Sequence, residues 1–201
     1  IPRESEAIIV MDPADEKDLK STLMSAFEGV KSEYSKTDPD LILSCTVQKT
    51  TVTHAMPEED QLAVLMAIQA VPVGIYRMSP DIDNLVQTSN NLARVVIEDG
   101  TIGLHCLCRS SVDSEKNDHA NSIACAFGLA GLQTEFSGQY PGWMPNPSSA
   151  IVATMKELYE EKYNESPRVL ACHAGLECGI LGTNYPEMDM VSFGPNIRGA
   201  H

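Results

Sequence analysis

The first 70 residues alternate β-prone apolar runs with stretches that have helical periodicity. Residues 5–11 (SEAIIVM) and 41–48 (LILSCTVQ) are apolar and β-prone, so each run predicts a strand. Between them, apolar residues recur at steps of three and four: Leu19, Leu23, Phe27 and Val30. This spacing predicts a helix from about residue 16 to residue 33. A second helix is predicted at 57–70, because a proline followed by three acidic residues is typical of a helix N-terminus.

The middle of the chain changes to two long extended runs. Residues 84–98 and 101–109 flank Asp99-Gly100, a strong hairpin signal, so they predict an antiparallel pair. A helix at about 115–129 and a strand at 132–137 are predicted next. Strand, helix and strand would then occur twice, at 5–48 and 101–137. This order predicts an α+β fold, with a mostly antiparallel sheet covered by helices on one face.

The composition changes at residues 138–149 (GQYPGWMPNPSS), where prolines and glycines indicate a linker or crossing. We therefore predict two domains, 1–138 and 139–201. The second contains an amphipathic helix at 149–163 and apolar runs at 168–175 and 188–195 that predict strands. About 60 residues are too few for a comfortable independent core, so the second domain is expected to be part of a larger α/β domain.

Charge and composition exclude several classes of function. Lys and Arg total 14 against 28 for Asp and Glu, and the net charge of -14 argues against nucleic-acid binding and against docking on acidic membranes. The apolar runs are too short to span a bilayer. The six cysteines lie inside apolar runs, which predicts reduced thiols in a cytoplasmic protein. A chain that opens at Ile1 is expected to be cut from a longer one.

Polar residues cluster at two places where chemistry could occur. His105, Cys106 and Cys108 lie on one predicted strand, where alternate residues face opposite ways, so the two thiols share a face and the histidine takes the other. This arrangement favours thiols in a half-buried strand over a metal site. Arg109 ends the same strand. A cation there either holds an anionic ligand by paired hydrogen bonds or forms an ordinary surface ion pair.

The stretch ACHAGLECGI at 171–180 contains a histidine, a glutamate and two cysteines separated by glycines. His173 and Glu177 are four residues apart, but Gly175 and Gly179 argue against a regular helix. The stretch therefore predicts a strand end and turn whose small residues allow a ligand to approach the backbone. A cysteine nucleophile would need a base, and proximity in sequence does not supply the geometry.

Several of these motifs together resemble one family. HAGLECG followed by YPEMDMVSFGPNIRGAH resembles the C-terminal part of the bacterial Xaa-His dipeptidases, which are di-zinc metallopeptidases related to carnosinase. IPRE at 1–4, TSNNLA at 88–93, CRSSVDS at 108–114 and YPGW at 140–143 extend the resemblance over essentially the whole chain. It implies that residues 1–138 are the second portion of a lid domain and that the chain then re-enters the catalytic domain.

The resemblance also implies roles for three residues. Arg109 matches a lid arginine that holds the terminal carboxylate of the dipeptide, Glu177 lies where it could receive the free amino group, and His201 matches a ligand of one of two zinc ions. The other metal ligands and the general base of the family lie upstream of the segment that matches Ile1. The chain alone is therefore expected to hydrolyse nothing.

Two alternatives from other classes stay open. Residues 1–138 could form a self-associating α+β module, because such sheets often pair through an edge strand or a helical face. In that case Arg109 would not need to face a substrate. A thiol enzyme that uses Cys178 and His173 is the third possibility; alkylation would inhibit such an enzyme and metal chelators would not.

Overall fold

The computed structural model describes residues 4–48, 52–173, 176–195 and 197–198. The chain divides after Pro57 into two compact units. The division at residue 138 that the composition suggests therefore does not coincide with the boundary between these units. The α+β class predicted from the pattern is confirmed.

The first unit contains one long helix, α1 (Glu16–Glu33), at the predicted position. The Asp12 carboxylate accepts a hydrogen bond from the backbone N–H of Ala14 at 2.8 Å and caps the short 3-10 turn that leads into α1. The predicted strands at 5–11 and 41–48 are wrong, because both runs are irregular. β-prone side chains fit a pleated surface but do not create one, and neither run has a neighbouring strand among the described residues.

The second unit contains a three-stranded antiparallel sheet in the order β1-β2-β3. The strands are β1 (Gly74–Met78), β2 (Val86–Glu98) and β3 (Thr101–Ser110). The hairpin predicted from Asp99-Gly100 is confirmed: both residues have positive φ, at 50° and 73°, as the turn between β2 and β3 requires. The strand β1, which the sequence pattern does not predict, pairs with β2 through an irregular register.

Two helices cover one face of this sheet. They are α2 (Glu58–Ala70) and α3 (Asp113–Leu129), both close to their predicted bounds. The core cluster that they bury is apolar: Ala67, Val71, Ile123 and Phe127, packed against Leu92, Leu104 and Cys106 of the sheet. Helices on one face of an antiparallel sheet were expected, and the structure confirms them.

After the sheet the chain forms two more helices, α4 (Ala150–Tyr163) and α5 (Glu177–Asn184). The Ser149 hydroxyl caps α4 by accepting from the Val152 N–H at 3.2 Å. The strands predicted at 132–137, 168–175 and 188–195 are wrong, because the described residues of all three runs are irregular. No helix among the described residues is long and apolar enough to cross a membrane.

The helix α5 corrects the prediction for the HAGLECG stretch, which was expected to be a strand end and turn. Glu177 begins the helix, and Gly179 lies inside it. A Cβ atom at Gly179 would lie 2.7 Å from the backbone oxygen of Pro141, so the glycine allows α5 to approach this neighbouring segment. Glycine lowers helix propensity by about 1 kcal/mol, and close tertiary packing of this kind can override that preference.

Candidate carboxylate-binding site

Arg109 lies at the end of β3 on the face of the sheet that α2 and α3 leave uncovered. It pairs with Ser89 of β2 in the antiparallel register, so the two side chains project from the same face. Their neighbours Thr88 and Ser110 are buried on the helix-covered face. Arg109 is exposed and forms no salt bridge in the part of the chain that the structure describes. Its guanidinium therefore has no carboxylate partner among those residues.

His173 extends from the HAGLECG stretch to this same face of the sheet. Its Nε2 atom lies 2.7 Å from the Ser89 hydroxyl oxygen, a hydrogen bond between residues 84 positions apart in sequence. Burial lowers the pKa of His173 below its usual value, and the positive charge of Arg109 lowers that pKa further. The imidazole is therefore held neutral at neutral pH. Arg109, Ser89 and His173 together form what we call the Arg109 cluster.

The YPGW loop lies between the end of β3 and α5 and links the two elements. The backbone N–H of Gly142 donates to the Asp113 carboxylate at 2.9 Å, and the Lys116 ammonium donates to the Tyr140 carbonyl. A Cβ atom at Gly142 would lie 2.6 Å from the Ser111 carbonyl oxygen, so only a glycine fits there without a shift of the backbone. These contacts, with the approach of Gly179 to Pro141, hold α5 beside β3.

A hydrogen-bond network fixes the sheet directly behind the Arg109 cluster. The Glu115 carboxylate accepts from Arg77 at 2.7 Å, from Gln87 at 2.8 Å and from the Thr88 hydroxyl. Burial alone would raise the pKa of Glu115, but the hydrogen bonds from Gln87, Thr88 and Arg77 outweigh it and lower the pKa. Thr88 also bonds Ser110 at 2.7 Å, which joins β2 to β3 at the level of the site. The strand ends under Ser89 and Arg109 are therefore held in register.

Glu177, the second predicted substrate residue, is exposed at the first position of α5. A carboxylate is favourable in the first turn of a helix because it faces the positive end of the helix dipole. It forms no salt bridge with Arg109 among the described residues, so the structure does not join the two predicted substrate residues directly. The role of Glu177 stays a prediction.

The predicted metal ligand, His201, lies outside the described residues. Within the described ranges there is no group of three His, Cys, Asp or Glu side chains that could hold a metal ion. Those residues therefore do not fit a zinc site by themselves. On β3, Cys106 packs toward the core while His105 is exposed, so the predicted separation of the thiols from the histidine is confirmed.

In a thiol enzyme His173 would have to contact the Cys178 thiol, but its observed partner is a different residue. It bonds Ser89, and no hydrogen bond joins it to Cys178 among the described residues. Ser89 is not predicted as a site residue from the sequence, because it lies 84 positions from His173 and local patterns do not indicate contacts between such distant residues.

A groove of about 860 Å³ lies beyond the YPGW loop. It is lined by residues from the loop, from α5 and its N-terminal neighbour Leu176, and from the run at 186–192, among them Trp143, Met144, Leu176, Cys178, Met188 and Met190. Its walls are mainly apolar, and Asp189 at its edge accepts a hydrogen bond from the Ile151 N–H at the start of α4. Cys172, Cys178 and Gly179 of the ACHAGLECGI stretch therefore line this groove.

The helix-covered antiparallel sheet is the α+β architecture expected of a dipeptidase lid, and comparison with known proteins supports that class. No family model matches the chain. It is 36% identical over 203 residues to the cytosol non-specific dipeptidase of Escherichia coli (strain K12), a match that covers 100% of this chain and 41% of that protein.

A solved structure agrees with this relationship. The crystal structure of aminoacylhistidine dipeptidase from Vibrio alginolyticus superposes with a TM-score of 0.80 at 36% identity, covering 92% of this chain and 38% of that one. The chain thus spans about two fifths of the length of these relatives. The resemblance seen in the sequence is confirmed: the chain is homologous to about two fifths of each of these two dipeptidases.

Proposed function

We propose that this chain forms the substrate-binding part of a zinc-dependent dipeptidase that cleaves Xaa-His dipeptides such as β-alanyl-histidine. The observation that supports the proposal is the exposed Arg109 guanidinium, which has no carboxylate partner among the described residues and lies on the uncovered face of the sheet. Arginine presents paired N–H donors that match the two oxygens of a carboxylate. A dipeptide has one such carboxylate at its C-terminus. By binding this carboxylate, Arg109 would select substrates that have only one residue on the C-terminal side of the scissile bond.

Glu177 completes the proposed recognition of the dipeptide. Its exposed carboxylate is suited to the free amino group at the opposite end of the substrate. Two fixed charges of opposite sign, one for each terminus, would favour dipeptides over longer peptides because both ion pairs form only at one substrate length. The enzyme is proposed to act in the cytoplasm, where the reduced thiols would persist.

The metal chemistry is assigned to the whole enzyme. Two zinc ions, when bound, would polarise the peptide carbonyl and activate a water molecule, and His201 is the residue of this chain proposed as a ligand. The described residues contribute binding and orientation of the substrate. For this reason we propose that the 201-residue chain is inactive alone, and that its division at residue 138 separates a lid from a partial catalytic segment.

A second function is favoured by a different observation. Large apolar side chains are exposed on the outer parts of the second unit: Leu62, Leu65 and Met66 of α2, and Ile75, Tyr76 and Met78 of β1. β1 is also an edge strand of the sheet, with one side unpaired in that sheet. We therefore propose self-association through the lid as an additional property, giving a homodimer. This property does not require Arg109.

Replacement of Arg109 by methionine in the full-length protein separates the two functions. We expect kcat/KM for β-alanyl-histidine to fall by roughly 100-fold, because a charge-assisted pair with the substrate carboxylate is lost, with no change in oligomer size. Arg94→Met is the matched control, because Arg94 is an exposed arginine of β2 at a bulge away from the Arg109 cluster. Unchanged turnover in Arg109→Met, or an equal loss in both variants, would contradict the proposed role.

A further inference from the structure

A hydrogen bond between Ser89 and His173 joins the HAGLECG stretch to the outer face of the sheet, beside Arg109. Ser89 is partly buried, His173 is half-buried, and their atoms are 2.7 Å apart. Neither residue forms another side-chain hydrogen bond in the described part of the chain. The apolar core lies on the opposite face of the sheet, so neither side chain of this pair belongs to it.

The hydrogen-bonding capacity of this pair shows what it offers a ligand. A neutral imidazole has one N–H donor and one acceptor nitrogen, and a hydroxyl has one donor. If Ser89 donates to Nε2, the proton of the imidazole is on Nδ1. If Nε2 donates to Ser89, the hydroxyl proton is free. Each arrangement uses one donor internally and leaves one donor for an acceptor outside the pair.

We propose that Ser89 and His173 determine substrate specificity together with Arg109, by donating one neutral hydrogen bond to the substrate carboxylate that Arg109 binds. This inference rests on the proposed function and adds two residues to it. The anionic ligand would be held by the guanidinium and by a donor from a different segment of the chain. Its chemical class is a free C-terminal carboxylate, because a C-terminal amide is uncharged and has an NH2 donor in place of one acceptor oxygen.

The same pair does not suit a serine nucleophile. In a hydrolytic dyad the histidine accepts the serine proton and becomes a cation, which a carboxylate on its other nitrogen stabilises. Here the neighbouring charged group is the Arg109 cation, which opposes protonation of the ring. No carboxylate bonds His173 among the described residues. The pair is therefore better suited to donate hydrogen bonds than to abstract a proton.

The test compares a dipeptide acid with its amide in the full-length protein. kcat and KM are measured for β-alanyl-histidine and for β-alanyl-histidine amide with wild type, Ser89→Ala, His173→Gln and Arg109→Met. His105→Gln is the matched control, because His105 is an exposed histidine of β3. Calorimetric binding of N-acetylhistidine and of its amide gives a second measurement that does not depend on turnover. Melting curves identify any variant that fails to fold.

We expect both Ser89→Ala and His173→Gln to raise KM for the acid by roughly tenfold, with kcat little changed and with the amide unaffected. Binding of N-acetylhistidine should weaken by a similar factor, and His105→Gln should match wild type. If Arg109→Met removes the preference for the acid while Ser89→Ala retains it, the inference is wrong and the proposed function survives. If wild type treats acid and amide alike in both assays, both are wrong. A fall in kcat for acid and amide alike in folded Ser89→Ala would show a role other than carboxylate recognition and would also overturn the inference.

Discussion

His119 offers the sharpest test of how this sheet is stabilised. The residue lies on α3, is 1% exposed, and its ring stacks on Tyr76 with centroids 4.1 Å apart and planes at 24°. Neither ring nitrogen has a hydrogen-bond partner in the described structure. A buried polar group without a partner costs about 1–3 kcal/mol, whereas a phenylalanine of similar shape keeps the stacking contact and removes that cost. His119→Phe is therefore expected to stabilise the second unit by about 1–3 kcal/mol at pH 7.5.

The same substitution should change how stability depends on pH. Burial lowers the pKa of His119 in the folded state, although the charges of Glu115 and Asp118 oppose this shift. Because the folded pKa lies below the unfolded value of about 6.5, the stability contributed by the neutral ring is fully present above pH 6.5. It is lost as the pH falls through the folded pKa, with a limiting slope of about 1.4 kcal/mol per pH unit. The His119→Phe variant has no ionisable group at this position, so its stability does not fall for this reason.

Amide hydrogen exchange of α3 in the full-length protein, measured from pH 7.5 to pH 5.0, would give the free energy of opening for both proteins. The difference between His119→Phe and wild type should widen as the pH falls below 6.5. His173, whose pKa is also lowered, titrates in both proteins and cancels in this difference. The carboxylates with lowered pKa, Asp113, Glu115 and Asp189, lose their contribution only below about pH 4.5. Parallel curves over the whole range would refute the reasoning.

Two further predictions concern α5 and the isolated chain. Gly179→Ala should destabilise α5 by about 1–3 kcal/mol, seen as faster amide exchange, because its Cβ would lie 2.7 Å from the Pro141 oxygen. The control Gly128→Ala, in open space on α3, should instead stabilise its helix by about 1 kcal/mol, and equal effects at both sites would contradict the packing argument. The 201-residue chain supplied with zinc should not cleave β-alanyl-histidine in an assay where the full-length protein does; measurable zinc-dependent cleavage would show that its own residues suffice.

The elements that depend on local chemistry could be predicted from the amino-acid pattern. The apolar spacing from Leu19 to Val30 predicts α1 with its observed bounds, and Asp99-Gly100 predicts the hairpin, because helix periodicity and turn conformation are properties of neighbouring residues. The family resemblance depends on motifs that are also local. Arg109 was identified as a candidate in the same way, from its place at a strand end.

Which apolar runs become strands, and which polar residues meet, depends instead on packing between distant segments of the chain. The runs at 5–11 and 41–48 have strand composition but no neighbouring strand in the described structure, whereas β1 forms because β2 supplies its backbone partners. The glycines of the HAGLECG stretch predicted a turn, but Gly179 lies in the helix α5, where it packs closely against Pro141. The meeting of Ser89 and His173 depends on the same packing, since local patterns contain no information about contacts 84 residues apart.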